Sequence, residues 1–130
     1  MHHWYSGPYG DPHNKASVHI EDRGFQFSDG VYEVLLVHNS KVFNFHLHYK
    51  RLIRSLKSIS IKNPFKQQDL KYLIRKMIRV NRLYQGFIYL QITRGVKERE
   101  HHYSDVKLKP TVILTAKKID LNKIKKIQSL

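Results

Sequence analysis

The chain contains no cysteine, which excludes disulfide staples and thiolate metal sites and suits a reducing compartment. Long apolar runs are also missing. Charged residues interrupt every hydrophobic stretch before it reaches the length of a membrane helix or a secretory core segment, so the chain is read as a soluble, cytoplasmic protein. Acidic residues are scarce, 10 Asp and Glu against 24 Lys and Arg, which gives a formal net charge of +14. Such a balance is expected of a nucleic-acid binder. However, no RNP aromatic strand, zinc spacing or arginine-rich arm accompanies it, and lysines spread from Lys15 to Lys126 among many isoleucines equally fit compositional drift. With 130 residues, 41% of them hydrophobic, the chain can bury one modest core and no more.

The segment MHHWYSGPYGDP has two glycines, two prolines and no period of two or of 3.6, and reads as a loose arm. Ala16 to Ile20 has strand character, and Gly24 and Gly30 bracket a loop before the β-branched run Val31 to His38, a buried strand. Asn39-Ser40-Lys41 reads as a hairpin turn into VFNF. In HLHYKRLIRSLKSIS, Tyr49, Leu52, Ile53, Leu56 and Ile59 recur at helical spacing and form one buried stripe. Asn63-Pro64 ends that element, and a second helix is expected from Gln67 to Asn81 with Leu70, Leu73, Ile74 and Met77 inward. GFIYLQITRG alternates as a two-faced strand, and TVILTA after Pro110 is apolar enough for a central one. The sum is an α+β domain with a largely antiparallel sheet and two helices packed on one side.

Chemistry-bearing residues fall in a few places. Asp22-Arg23-Gly24 and Asp29-Gly30 are turn formers. Tyr32 follows at the start of a strand, where its phenol can either cap the core or donate to an anion in a cleft. His48 and Arg51 are three apart on one helix face, and an arginine fork there can take a phosphate through two parallel bonds or remain solvated. TRGVKEREHH places Arg94, Arg99, His101 and His102 in a cationic loop suited to a carboxylate. His46-x-His48 and His101-His102 are too close together, and lack the accompanying ligands, to hold a metal, so none is expected. No nucleophile triad and no glycine-rich phosphate loop is present.

Taken together and in order, VHIEDRGFQF (Val18 to Phe27), DGVYE (Asp29 to Glu33), His48-x-x-Arg51-Leu52, Thr93-Arg94-Gly95 and Arg99-x-His101 resemble the N-terminal domain of the class IV pyridoxal-phosphate aminotransferases, in particular the D-amino acid branch. The resemblance implies a divergent arm over 1–11, the aminotransferase domain over 12–120 and a truncated interdomain linker over 121–130. It implies that Arg51 binds the phosphate of pyridoxal 5'-phosphate. Tyr32, Arg99 and His101 would bind the substrate α-carboxylate, the last two from the neighbouring subunit of a homodimer. It further implies the exchange of D-alanine and 2-oxoglutarate for pyruvate and D-glutamate. The Schiff-base lysine of the family belongs to its larger C-terminal domain, and none of the lysines here stands in that context. The chain is therefore expected to be inactive alone and to need a separately encoded half that brings that lysine. A remnant of a split or frameshifted gene, and a basic polyanion-binding module, are the competing readings. Ser28 departs from the glycine usual before Asp-Gly and marks an expected point of strain.

Overall fold

The computed structural model describes residues 3–5, 10–99, 108–120 and 122. Its sheet has the strand order β2-β1-β6-β5-β3-β4. The strands are β1 (His3–Tyr5), β2 (Gly10–Pro12), β3 (Gly30–His38), β4 (Lys41–Val42), β5 (Gln85–Thr93) and β6 (Thr111–Lys118), and the helices are α1 (Arg23–Phe27), α2 (Phe45–Ser58) and α3 (Gln67–Val80). Every pairing among the described strands is antiparallel. The architecture is the α+β one expected.

The period-two pattern explains the sheet's two faces. The registers Leu35↔Ile88, Glu33↔Leu90 and Val31↔Ile92 in β3–β5, with Leu90↔Leu114 and Ile88↔Ala116 in β5–β6, stack one apolar set across the three central strands. That set joins Tyr49, Leu52 and Leu56 of α2 and Leu70, Leu73, Ile74, Met77 and Ile78 of α3 in a single core. Tyr32, Leu36 and Tyr89 stand on the opposite face and are exposed. Ile53, expected inward, is exposed instead. Tyr49, Leu52 and Leu56 already fill the width of the stripe that α2 presents, and position 53 is rotated to its solvent side.

The N-terminal arm is a correction. β1 and β2 form an antiparallel pair, and Trp4 and Tyr5 pair with Thr115 and Leu114 of β6. The backbone groups along the outer edge of β6 require partners whatever side chains the pairing strand carries, so three residues without alternation suffice. Ala16 to Ile20, expected as a strand, pairs with none, because local bonds compete. Asp22 N–H donates to His19 O at 2.9 Å, and Glu21 N–H donates to His19 Nδ1 at 2.9 Å. The loop expected between Gly24 and Gly30 is largely the short helix α1, capped by Asp22, whose carboxylate accepts from Gly24 N–H at 2.8 Å. The hairpin at Asn39-Ser40 is as expected, both residues having positive φ, as a two-residue turn requires. Its second strand is only Lys41–Val42, since Asn44 turns the chain at φ 56° into α2, which begins at Phe45. The expected linker over 121–130 lies outside the described residues, apart from Asn122.

Ser28 closes α1 in the left-handed region, φ 54° and ψ 32°, a conformation that costs an L-residue about 1 kcal/mol and glycine almost nothing. Gly24 is enclosed. A Cβ built there would collide with the methyl of Thr93, which is 2% exposed and has nowhere to move. In chemical denaturation, Ser28→Gly is expected to raise stability by about 0.5–1 kcal/mol, and Gly24→Ala to lower it by about 2 kcal/mol.

Candidate functional site

Two carboxylates, one half-buried and one buried, organise the end of the sheet that carries the candidate residues. Asp29, just ahead of β3, accepts from Arg23 Nε and Arg94 Nε through the same oxygen, each at 2.8 Å. Arg94 continues to the end of α2, donating from Nη2 to Ile59 O at 2.6 Å and from Nη1 to Ser60 O at 3.2 Å. Backbone bonds complete the clasp, with Arg23 N–H to Gly95 O at 2.9 Å and Arg94 N–H to Asp29 O at 3.0 Å. Residues 22–30, the end of β5 and the end of α2 are thus one unit. The turn formers DRG and DG, together with TRG, act here as its fasteners.

The second carboxylate is Glu33, 4% exposed, in phase with Val31, Leu35 and Val37 on the helix-covered face. Arg51 of α2 donates Nε–H to Glu33 Oε2 and Nη2–H to Oε1, both at 2.8 Å, and His48 Nδ1 lies 2.7 Å from Oε1. Burial alone would raise the Glu33 carboxyl. The hydrogen bonds and charges of Arg51 and His48 outweigh it and hold the group below its ordinary value. Asp29 is likewise lowered, burial opposing and Arg94 and Arg23 prevailing. Arg51 is raised, chiefly by its hydrogen bonds and charge pairing with Glu33, with a further contribution from Tyr32. Its side chain remains 55% exposed.

Tyr32 and Arg51 are thereby placed at the same boundary. β4 pairs only with Val37 and His38, so the edge of β3 away from β5 has no described strand against it over Gly30–Leu35. Tyr32, 73% exposed, stands on the open face there, and Arg51 reaches the same stretch from below, anchored to the next residue along the strand. Arg99 lies elsewhere, over the Phe27 ring at 5.7 Å, with Arg23 on the same ring at 4.6 Å. The bridge between Asp22 and Val96 brings that segment to α1. His101 lies outside the described residues. Among the described residues, no group of three or more His, Cys, Asp or Glu side chains could hold a metal, and no helix is long and apolar enough to cross a membrane.

Sequence reasoning passed over Glu33, although a signal was there. A charged residue in phase with a strand's apolar side has to be buried, and then needs cationic partners. His48 and Arg51, at helical spacing on the element packed against it, are those partners.

The sequence model of the family described as amino-transferase class IV matches residues 30–128. A curated relative, the D-alanine aminotransferase of Staphylococcus haemolyticus, is 36% identical over 107 residues, which cover 82% of this chain and 38% of the relative. The chain therefore spans about two fifths of the length of the curated relatives it matches. Among solved structures, the branched-chain amino acid aminotransferase from Escherichia coli superposes with a TM-score of 0.82 at 21% identity, over 90% of this chain and 41% of that one. A hypothetical aminotransferase from Mycobacterium tuberculosis in its PLP-bound form gives 0.76 at 17%, over 95% of this chain and 42% of that one. At these identities the structural matches establish the fold.

Both carboxylates have lowered values when folded, so their contribution to stability is complete above their unfolded values and is lost as pH falls through the folded ones. Unfolding free energy is expected to hold near neutrality and to fall below about pH 4, with a shallower fall in Glu33→Gln. Asp29→Asn leaves Arg23 and Arg94 buried without their shared counterion, and is expected to cost about 3 kcal/mol in urea unfolding.

Proposed function

The chain belongs to the amino-transferase class IV family, and on that premise we propose that it is the small, N-terminal domain of a D-alanine-type aminotransferase. The observation that carries this reading is the unshared edge of the Arg51 guanidinium beside Tyr32 at the uncovered edge of β3. Pyridoxal 5'-phosphate, the family's cofactor, fits what is present there. A phosphate monoester is well matched by two parallel N–H donors, and the edge of Arg51 not bonded to Glu33 supplies them. When bound, the cofactor supplies the electron sink for moving an amino group between an amino acid and a 2-oxo acid.

In this reading Arg51 holds the cofactor's phosphate. Tyr32, Arg99 and His101 hold the substrate α-carboxylate, with Arg99 and His101 serving the neighbouring subunit of a homodimer. Cationic donors fixed on both sides of a carboxylate orient the α-carbon and leave the side chain to be selected by the rest of the wall. Phe27, stacked under Arg99, favours this by restricting where that guanidinium can reach. The domain comprises residues 12–120 together with the β1–β2 pair, which joins the same sheet. The lysine that carries the cofactor is expected from residues outside these 130, in the same polypeptide or a separate one, and the chain by itself is expected not to transaminate.

The test is an exchange. These residues replace the matching segment of the Staphylococcus haemolyticus relative, and pyruvate formation from D-alanine and 2-oxoglutarate is followed with a coupled dehydrogenase. Turnover of D-alanine, together with a loss of cofactor retention of about tenfold or more in Arg51→Met, is the expected result. A soluble exchange protein that binds pyridoxal 5'-phosphate yet leaves D-alanine untouched would contradict the reading.

A further inference from the structure

Glu33 occupies a position where an apolar residue would pack without difficulty. Its neighbours in phase along β3 are Val31, Leu35 and Val37, and across the sheet it faces Leu90. A carboxylate here must be held charged by partners or it destabilises the core. Its bonds reveal what it contributes. Oε2 takes Nε–H and Oε1 takes one Nη2–H of Arg51, a side-on pair of two parallel bonds at 2.8 Å each. His48 Nδ1, 2.7 Å from Oε1, fixes that oxygen from the other side. A guanidinium has five N–H donors in a rigid plane. The side-on pair consumes two of them and leaves the end-on edge, one hydrogen from Nη1 and one from Nη2, parallel and with no hydrogen bond among the described residues.

We propose that Glu33, steadied by His48, is a positioning residue that locks the plane of Arg51 so that its end-on edge faces a phosphate monoester at the uncovered edge of β3. This rests on the assignment of Arg51 as the phosphate-binding residue. Arg51 is largely exposed, and without the lock its long side chain would sample many rotamers, whose restriction on binding costs about 0.5–1.5 kcal/mol. Arg54, one turn further along α2, is an internal reference. It is exposed and has no carboxylate within ion-pair reach among the described residues.

Glu33 also repels a phosphate through its charge, so Glu33→Gln would remove repulsion and positioning together. Glu33→Asp keeps the charge and shortens the reach, which isolates the geometry. The measurement is side-chain NMR of the full chain titrated with pyridoxine 5'-phosphate, which lacks the aldehyde that would react with lysines. In the unsubstituted chain, Arg51 Nε–H is expected to exchange with water more slowly than that of Arg54 and to shift saturably on titration. Glu33→Asp is expected to abolish that protection and to weaken binding about fivefold, and Arg51→Lys to remove the saturable site. Unchanged affinity in a folded Glu33→Asp chain, with binding still lost in Arg51→Lys, would overturn the positioning role and leave Arg51 as the phosphate ligand. Undiminished binding in Arg51→Lys would overturn that assignment and the positioning role with it. If the aspartate variant does not fold, equal exchange rates for Arg51 and Arg54 in the unsubstituted chain would overturn the proposal alone.

Discussion

A carboxylate buried in an apolar sheet face has few ways to survive, and the way Glu33 does so ties the sheet to its first long helix. The burial of Glu33 calls for cations, and α2 presents His48 and Arg51 at the spacing that puts both on one side. Because Arg51 is anchored on its inner edge, its other edge is turned to solvent with little freedom. In the proposed reading, structural necessity and ligand presentation are served by the same pair of bonds. Asp29 does comparable work a few residues earlier, joining Arg23 and Arg94 and through Arg94 the carbonyls that end α2. The two carboxylates hold opposite ends of α2 to the same stretch of chain, and Tyr32 is carried between them.

Much of this was legible in the sequence. The alternation in Val31–His38 and Gln85–Thr93 and the helical spacing of Leu70, Leu73, Ile74 and Met77 correspond to elements of the structure, because in each the pattern of burial and the local propensity agree. Arg51 was singled out by its spacing from His48. Elements decided by pairing partners were not legible. The β1–β2 pair exists because β6 has an edge to cover, and a glycine- and proline-bearing arm carries no trace of that. Conversely, Ala16–Ile20 has the composition of a strand, but its own His19 and the following Asp22 make a turn and a helix cap instead. Glu33 shows a third kind of omission, since a residue quoted only within the DGVYE motif was in fact marked by its phase within an apolar strand.

Positive charge over the rest of the surface follows a different logic from that at Arg51. Lys41, Lys71, Arg75, Arg79 and Arg82 line a cleft beside α3 with Val42 and Ile74 at its floor, and none has a carboxylate within ion-pair reach among the described residues. Those side chains are exposed, whereas Arg51 is held by a fixed counterion. An anion that needs two parallel donors at a defined angle should distinguish between them, while a diffuse polyanion should prefer the cleft.

The most direct measurement is therefore a crystal structure of the chain grown with pyridoxine 5'-phosphate. The account predicts the phosphate on the end-on edge of Arg51, with the Tyr32 hydroxyl nearby and both Arg51–Glu33 bonds intact. A phosphate gathered by Lys71, Arg75 and Arg79 with Arg51 bare, or an Arg51 that has left Glu33 to reach its ligand, would contradict it.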